Sequence, residues 1–101
     1  MASVRDVAQY ILERLGPLTS MKLQKLVYYS QAWSVVWDDD VIFGEEIQAW
    51  ANGPVVRDLW EANRGQFRIN AVEGGNSGHL SDTHRATVDR VLAFYGSKDA
   101  Q

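Results

Sequence analysis

Cysteine is absent from this 101-residue sequence, which excludes disulfides and thiolate metal sites. No apolar run approaches the roughly 18 residues of a membrane-spanning helix, and the N-terminal "MASVRD" carries an aspartate where a signal peptide would become apolar. Ten basic and thirteen acidic residues give a net charge of -3, which disfavours nucleic-acid phosphate as a partner. We therefore expect a single cytoplasmic domain, residues 1–101, with no membrane partner.

Histidine is scarce, and the residues that could form a metal site or a catalytic site do not have the spacing that such sites require. His79 and His84 are the only histidines, and a separation of five residues with no third ligand does not match a zinc site. The acidic stretch 38–46 lacks the alternating ligands and the central glycine of an EF-hand loop. The Ser, Asp and His of residues 81–84 are adjacent only in sequence, whereas a catalytic triad is assembled by the fold. We predict a protein without metal, cofactor or enzymatic activity.

Two helices are predicted in the N-terminal half by their caps and apolar spacing. A capping box at Ser3 begins a helix whose apolar residues recur at three and four, and Gly16-Pro17 ends it. Thr19 or Ser20 caps a second helix that runs to about Trp37 and is apolar over more than half of its circumference, leaving mainly Gln24 and Gln31 outside. Such a helix is surrounded by other elements, so we expect it at the centre of the fold.

The C-terminal half combines short extended segments with two further helices. Residues 41–50 predict a small hairpin broken at 44–46, and Asn52-Gly53-Pro54 predicts the start of a third helix ending near Asn63. Residues 66–72 predict an edge strand, and Ser81 caps a last helix closed by Gly96. The predicted fold is mainly α (α+β): about four helices around a central apolar helix, with a small β-hairpin or edge-strand element.

Two exposed features could bind a partner. Lys22, Lys25 and Tyr29 share one side of the second helix at i, i+3 and i+7, although such lysine stems commonly just cover apolar surface. Trp50 directly precedes the predicted junction at 52–54, where it could be a core residue or an interface anchor.

The helix pair joined by "GPLTS" also raises the possibility of a helix-turn-helix DNA reader. A recognition helix exposes polar residues to base edges, whereas this second helix carries Tyr28, Tyr29, Trp33 and Trp37 in an acidic protein. DNA binding is therefore the weaker alternative.

The segments "LTSMKLQKLVYYSQAW" (18–33) and "IFGEEIQAWANGPVV" (42–56) together resemble the Panacea domain, the family of SocA-like antitoxins and phage-associated proteins. The shared pattern is Leu-Thr, then Met-Lys-Leu-x-Lys-Leu-x-Tyr-Tyr, then Ala-Trp-x-x-Gly-Pro-Val. The resemblance covers roughly residues 4–96. It implies a mostly helical fold and a role as an antitoxin that binds its toxin directly, with some members delivering the toxin to a Clp-type protease. The family domain usually continues beyond the equivalent of "FYGSKDAQ", so we expect a form lacking that C-terminal segment and a possible homo-oligomer.

The leading hypothesis is thus an antitoxin that neutralises a cognate protein toxin. The alternatives are a DNA-binding autoregulator of its own operon, using residues 4–37, and a phage-borne interaction module. In the leading hypothesis the lysines meet acidic surface and the tryptophan fills a pocket. The partner-binding candidates are Lys22, Lys25, Tyr29, Trp50, Asn52 and Pro54.

Overall fold

The computed structural model describes residues 1–97 and contains four α-helices with two small antiparallel sheets. Strand β1 pairs with β4, and β2 pairs with β3. The predicted mainly helical α+β fold is confirmed. The elements in chain order are α1 (Val4–Leu15), β1 (Leu18–Thr19), α2 (Ser20–Asp38), β2 (Ile47–Trp50), β3 (Gly53–Val56), α3 (Arg57–Ala62), β4 (Arg68–Ile69), a 3-10 turn (Ser77–His79) and α4 (Asp82–Tyr95).

The starts of α1, α2 and α4 lie where local capping chemistry predicts them. The Ser3 hydroxyl accepts from the backbone N–H of Asp6 at 3.2 Å, and the Asp6 carboxylate accepts from the N–H of Ser3 at 2.9 Å, which completes a capping box. Thr19 caps α2 and Ser81 caps α4 in the same way. Because each cap uses residues within one turn, these boundaries could be predicted from short segments.

Helix α2 lies at the centre of the molecule and contacts the other three helices and strand β3. Leu23, Leu26 and Val27 on its inner face are buried against them. The expectation that Gln24 lies outside is wrong, because this side chain is only 5% exposed. Its amide donates to the backbone C=O of Val56 at 3.3 Å and accepts from the Val56 N–H at 3.0 Å. The glutamine thus provides hydrogen-bond partners for the N–H and C=O of Val56, which have no neighbouring strand on that side.

Gln31 performs a similar task for the segment after α2. Its Oε1 accepts from the N–H of Ile42 at 2.8 Å, and its Nε2 donates to the C=O of Phe43 at 2.7 Å. Ile42 and Phe43 are completely buried. Because the segment is held by a side chain, it needs no hairpin partner of its own.

The C-terminal part of α2 is not surrounded as expected. Val35, Val36 and Trp37 are exposed, and Trp37 stacks on Trp33 with ring centroids 4.7 Å apart. The guanidinium of Arg90 lies over the Trp37 ring at 4.0 Å. The buried positions of α2 therefore extend from Leu23 to Ser34 and do not reach its last turn.

The predicted hairpin and third helix are both displaced along the chain. The hairpin spans residues 47–56 rather than 41–50, with Trp50 opposite Gly53, and α3 begins only at Arg57. Proline is tolerated at a strand edge and in the first turn of a helix, because neither position requires a backbone N–H donor. The sequence around Pro54 therefore fits both structures, and the pairing with β2 selects the strand.

Candidate partner-binding groove

An open groove of about 580 Å³ separates the N-terminal end of α2 from the β2–β3 hairpin. One wall is formed by α2 and the end of β1, the opposite wall by the hairpin, and the ends by Trp60 of α3 and the two residues before β4. The lining residues are Thr19, Ser20, Met21, Gln24, Lys25, Trp50, Ala51, Asn52, Pro54, Val55, Trp60, Gln66 and Phe67. Residues from four separate segments of the chain therefore share this surface.

The hairpin that forms this wall is attached to α2 and has a tight turn at its tip. The two bonds between Gln24 and Val56 attach β3 to α2. Ala51 and Asn52 connect the strands, and Gly53 adopts a φ of 117°, a conformation that favours glycine. This geometry projects Trp50, Asn52 and Pro54 towards the groove.

Trp50 is oriented by two neighbours yet remains 37% exposed. Its indole N–H donates to the side-chain oxygen of Gln48 at 2.8 Å, and its ring meets the edge of the Trp60 ring at a centroid distance of 5.4 Å. An aromatic side chain that is fixed in orientation but open to solvent loses little conformational entropy when it binds. Trp50 has the properties of a pre-organised interface anchor.

Further apolar surface is exposed on the α2 wall and at one end of the groove. Met21 protrudes from the first turn of α2, and Phe67, just before β4, is 81% exposed. Phe67 is brought to the groove by the short β1–β4 pair, in which the backbone N–H of Ser20 also donates to the Phe67 C=O at 3.0 Å. Exposed apolar residues gathered around one concavity are typical of protein-binding sites.

The charge around the groove is positive although the whole chain is acidic. Lys25 is the only charged residue among the described residues that line it. Arg64 lies over the Trp60 ring at 5.3 Å, and Arg68 stands opposite Thr19 in the β1–β4 pair. The nearby Glu61 is paired with Arg57 at 3.6 Å and with Arg64 at 3.7 Å.

The structure brings together four of the six residues predicted as contacts: Lys25, Trp50, Asn52 and Pro54 line the groove. Lys22 is half-buried one turn before Lys25 and does not line it. Tyr29 lies further along α2 and stacks on Tyr95 of α4, with ring centroids 4.3 Å apart.

Sequence reasoning did not find Met21, Trp60 and Phe67 as groove residues. The only signal at Phe67 was its alternation with Arg68, which predicted a strand but not the strand's partner. Trp60 was predicted only as part of the third helix, with no signal for a position at a groove. Both residues reach the groove through long-range packing that no local pattern encodes.

The two histidines lie away from the groove, each beside a carboxylate. His84 Nε2 is 2.7 Å from Asp40 Oδ2, and its side chain is only 14% exposed. His79 Nδ1 lies 3.3 Å from Asp6 Oδ2. Burial alone would raise the pKa of Asp6, but hydrogen bonds from Ser3, Asn76 and His79 lower it below its usual value. Across residues 1–97 no three His, Cys, Asp or Glu side chains are grouped to hold a metal, and no helix there is both long and apolar enough to cross a membrane.

The sequence model of one family, described as "Antitoxin SocA-like, Panacea domain", matches residues 23–101. The match covers most of the chain, including the β2–β3 hairpin and most of α2, and the chain belongs to this family. The resemblance drawn from the two sequence blocks is thereby confirmed. No curated protein and no solved structure matches the chain.

Proposed function

We propose that this chain is the antitoxin of a toxin–antitoxin pair and that it neutralises its toxin by direct binding through the groove. The observation that carries the proposal is the exposed apolar surface around one concavity, with Trp50 on its hairpin wall. Tryptophan is enriched among interface hot spots, where a buried aromatic anchor contributes most of the binding energy. Membership in an antitoxin family supports the same assignment.

Each candidate residue has a distinct role in this proposal. Trp50 inserts into the toxin surface, Pro54 keeps the hairpin wall rigid, and Asn52 offers its amide at the hairpin tip. Lys25 places a positive charge on the opposite wall. Lys22 and Tyr29 extend the contact along α2 beyond the groove.

The first test is growth rescue, with this chain and its neighbouring gene expressed from separately induced promoters. We expect the neighbour to arrest growth, the chain to restore it, and the two purified proteins to form a complex. Trp50→Ala should weaken that complex by at least about 30-fold, as hot-spot truncations costing about 2 kcal/mol do.

The matched control is Trp37→Ala, because Trp37 has nearly the same exposure as Trp50, 38% against 37%, but lies at the far end of α2. It should bind and rescue like the wild type. A complex that survives Trp50→Ala and fails with Trp37→Ala would show that the toxin binds the α2–α4 surface instead. Absence of any complex with a toxic neighbour would refute the proposal.

Protease delivery and self-association, the two other properties expected from the family resemblance, are each tested by a separate measurement. Delivery to a Clp-type protease predicts that the toxin disappears faster when the protease, its nucleotide and this chain are all present. Self-association predicts a mass above that of one 11.4 kDa chain in sedimentation. The DNA-binding alternative has weaker support, because Leu23, Leu26 and Val27 on the inner face of α2 are buried in the core. The exposed end of α2 carries Val35, Val36 and Trp37 instead of a polar face.

A further inference from the structure

We propose that the occupant of the groove is an acidic protein segment that inserts aromatic or long aliphatic side chains, and that it does not bind by adding a strand to the edge of β3 that faces α2. This inference rests on the proposed function in one respect only, namely that the partner carrying the segment is the toxin. The chemistry of the occupant follows from the groove itself.

Strand addition is excluded on the edge of β3 that faces α2. At Val56 this edge is already occupied, because both the N–H and the C=O bond to Gln24. In an antiparallel strand alternate residues present their backbone groups to the same side, so the next outward position is Pro54. Proline has no N–H to donate. An extended peptide would find no ladder of backbone partners there, so recognition depends on side chains.

The apolar part of the occupant is defined by the walls. Met21, Trp50, Trp60 and Phe67 come from four different segments and surround a volume of about 580 Å³. That volume is within the range of pockets that enclose small organic ligands. It accommodates one or two large side chains, whose burial between aromatic walls would contribute roughly 1.5–3 kcal/mol each.

The acidic part of the occupant is inferred from the charges around the groove. Lys25 lines the groove, and Arg64 and Arg68 lie beside it. Two acidic side chains also lie near: Glu61 is shared by Arg57 and Arg64, and Glu46 accepts a hydrogen bond from Gln48, so basic groups outnumber the acidic ones named here. The first turn of the 19-residue helix α2 also faces the groove and adds partial positive charge. Opposite charge on the partner is favoured at such a surface.

A nucleic acid is the other polyanion that aromatic and basic residues can hold, but the whole-chain charge opposes it. A net charge of -3 repels a long polyanion, whereas nucleic-acid-binding surfaces carry a clear excess of Lys and Arg. A short acidic segment of a protein senses mainly the nearby groove charges, because salt screens more distant ones within about 10 Å.

The test uses the intact chain with ¹⁵N-labelled tryptophan, because its four indole groups report on two surfaces at once. Trp50 and Trp60 lie at the groove, and Trp33 and Trp37 stack on each other at the far part of α2. Two synthetic peptides share one Trp-Leu-Phe centre, flanked by glutamates in one and by lysines in the other. We expect the acidic peptide to shift the signals of Trp50 and Trp60 only, and to bind at least about tenfold more tightly than the basic peptide.

Lys25→Glu should remove this preference, since it places a like charge against the glutamates. The matched control is Arg14→Glu, which makes the same change of charge on α1 beside Asp89 and should leave the preference intact. Equal binding of the two peptides, shifts confined to Trp33 and Trp37, or no shift at about 1 mM acidic peptide would each overturn the inference. Tighter binding of oligo-deoxythymidine than of the acidic peptide at the same salt concentration would also overturn it.

Growth rescue separates this inference from the proposed function. If the chain fails to rescue growth but still selects the acidic peptide, the antitoxin proposal falls and the groove chemistry stands. If rescue depends on Trp50 while the two peptides bind equally, the proposed function stands and the acidic character of the partner is refuted.

Discussion

Replacing Gln24 with leucine should be among the most destabilising single changes in this protein. The glutamine is almost completely buried on the central helix, and its amide forms the two hydrogen bonds that hold Val56. Leucine has a similar size and a good helix propensity, so the change removes hydrogen bonds without opening a large cavity. It leaves the buried N–H and C=O of Val56 without their partner.

The expected magnitude follows from those two orphaned groups. A buried polar group left without a hydrogen bond costs about 1–3 kcal/mol, and the N–H is the more expensive of the two because it has a single bond to make. Gln24→Leu should therefore lower the free energy of unfolding by about 3 kcal/mol. For a domain of this size that corresponds to a fall in Tm of roughly 12–24 °C.

Urea unfolding followed by circular dichroism measures this loss, and hydrogen exchange of the Val56 amide locates it. The matched control is Gln66→Leu, the same chemical change at an exposed groove residue, which should alter stability by less than about 0.5 kcal/mol. A loss below about 1 kcal/mol for Gln24→Leu, with the Val56 amide still protected, would refute the reasoning. It would show that the hairpin is held by its apolar packing alone.

Two further predictions concern the hairpin tip and the start of α1. Gly53→Ala should cost about 1 kcal/mol or more in urea unfolding, because the φ of 117° at this position strains any residue with a Cβ; unchanged stability would contradict this. Hydrogen bonds from Ser3, Asn76 and His79 outweigh the opposing effect of burial and hold the pKa of Asp6 below its usual 3.8. The stabilisation is therefore complete above that value and is lost as the pH falls from 3.8 through the lower folded pKa. Asp6→Asn should flatten this acid-side decline in urea midpoints, and an unchanged decline would assign it to other carboxylates.

The starts of α1, α2 and α4 were predictable because each depends on contacts within a few residues. Ser3, Thr19 and Ser81 each cap a helix with a bond to the backbone three residues later. The same reasoning failed at Pro54, where the local preference fits two structures equally well. The choice between them is made by pairing with β2, which is a tertiary interaction.

The burial of Gln24 could not be predicted from periodicity for a related reason. Its partner Val56 is 32 residues away, and only the folded structure shows that the two bonds compensate the burial of a polar side chain. Phe67 reaches the groove through a strand pair of two residues, which is too short to leave a pattern in the sequence. Three of the predicted contacts, Trp50, Asn52 and Pro54, line the groove together because they are neighbours in sequence and share one hairpin tip. That this tip faces α2 was not predictable.

Single glutamine side chains attach three segments of the chain to the helices. Gln24 holds β3, Gln31 holds residues 42–43, and Gln9 of α1 accepts from the N–H of Val72 at 2.9 Å. Each bond joins a helix side chain to the backbone of the attached segment, so it imposes no requirement on that segment's own side chains. The hairpin can therefore vary in its exposed residues around Trp50 while its anchor to α2 stays the same. Changes of the exposed Trp50 and Asn52 side chains should alter partner affinity with little loss of stability, whereas changes at the glutamines or at Gly53, whose φ is positive, should mainly lower stability.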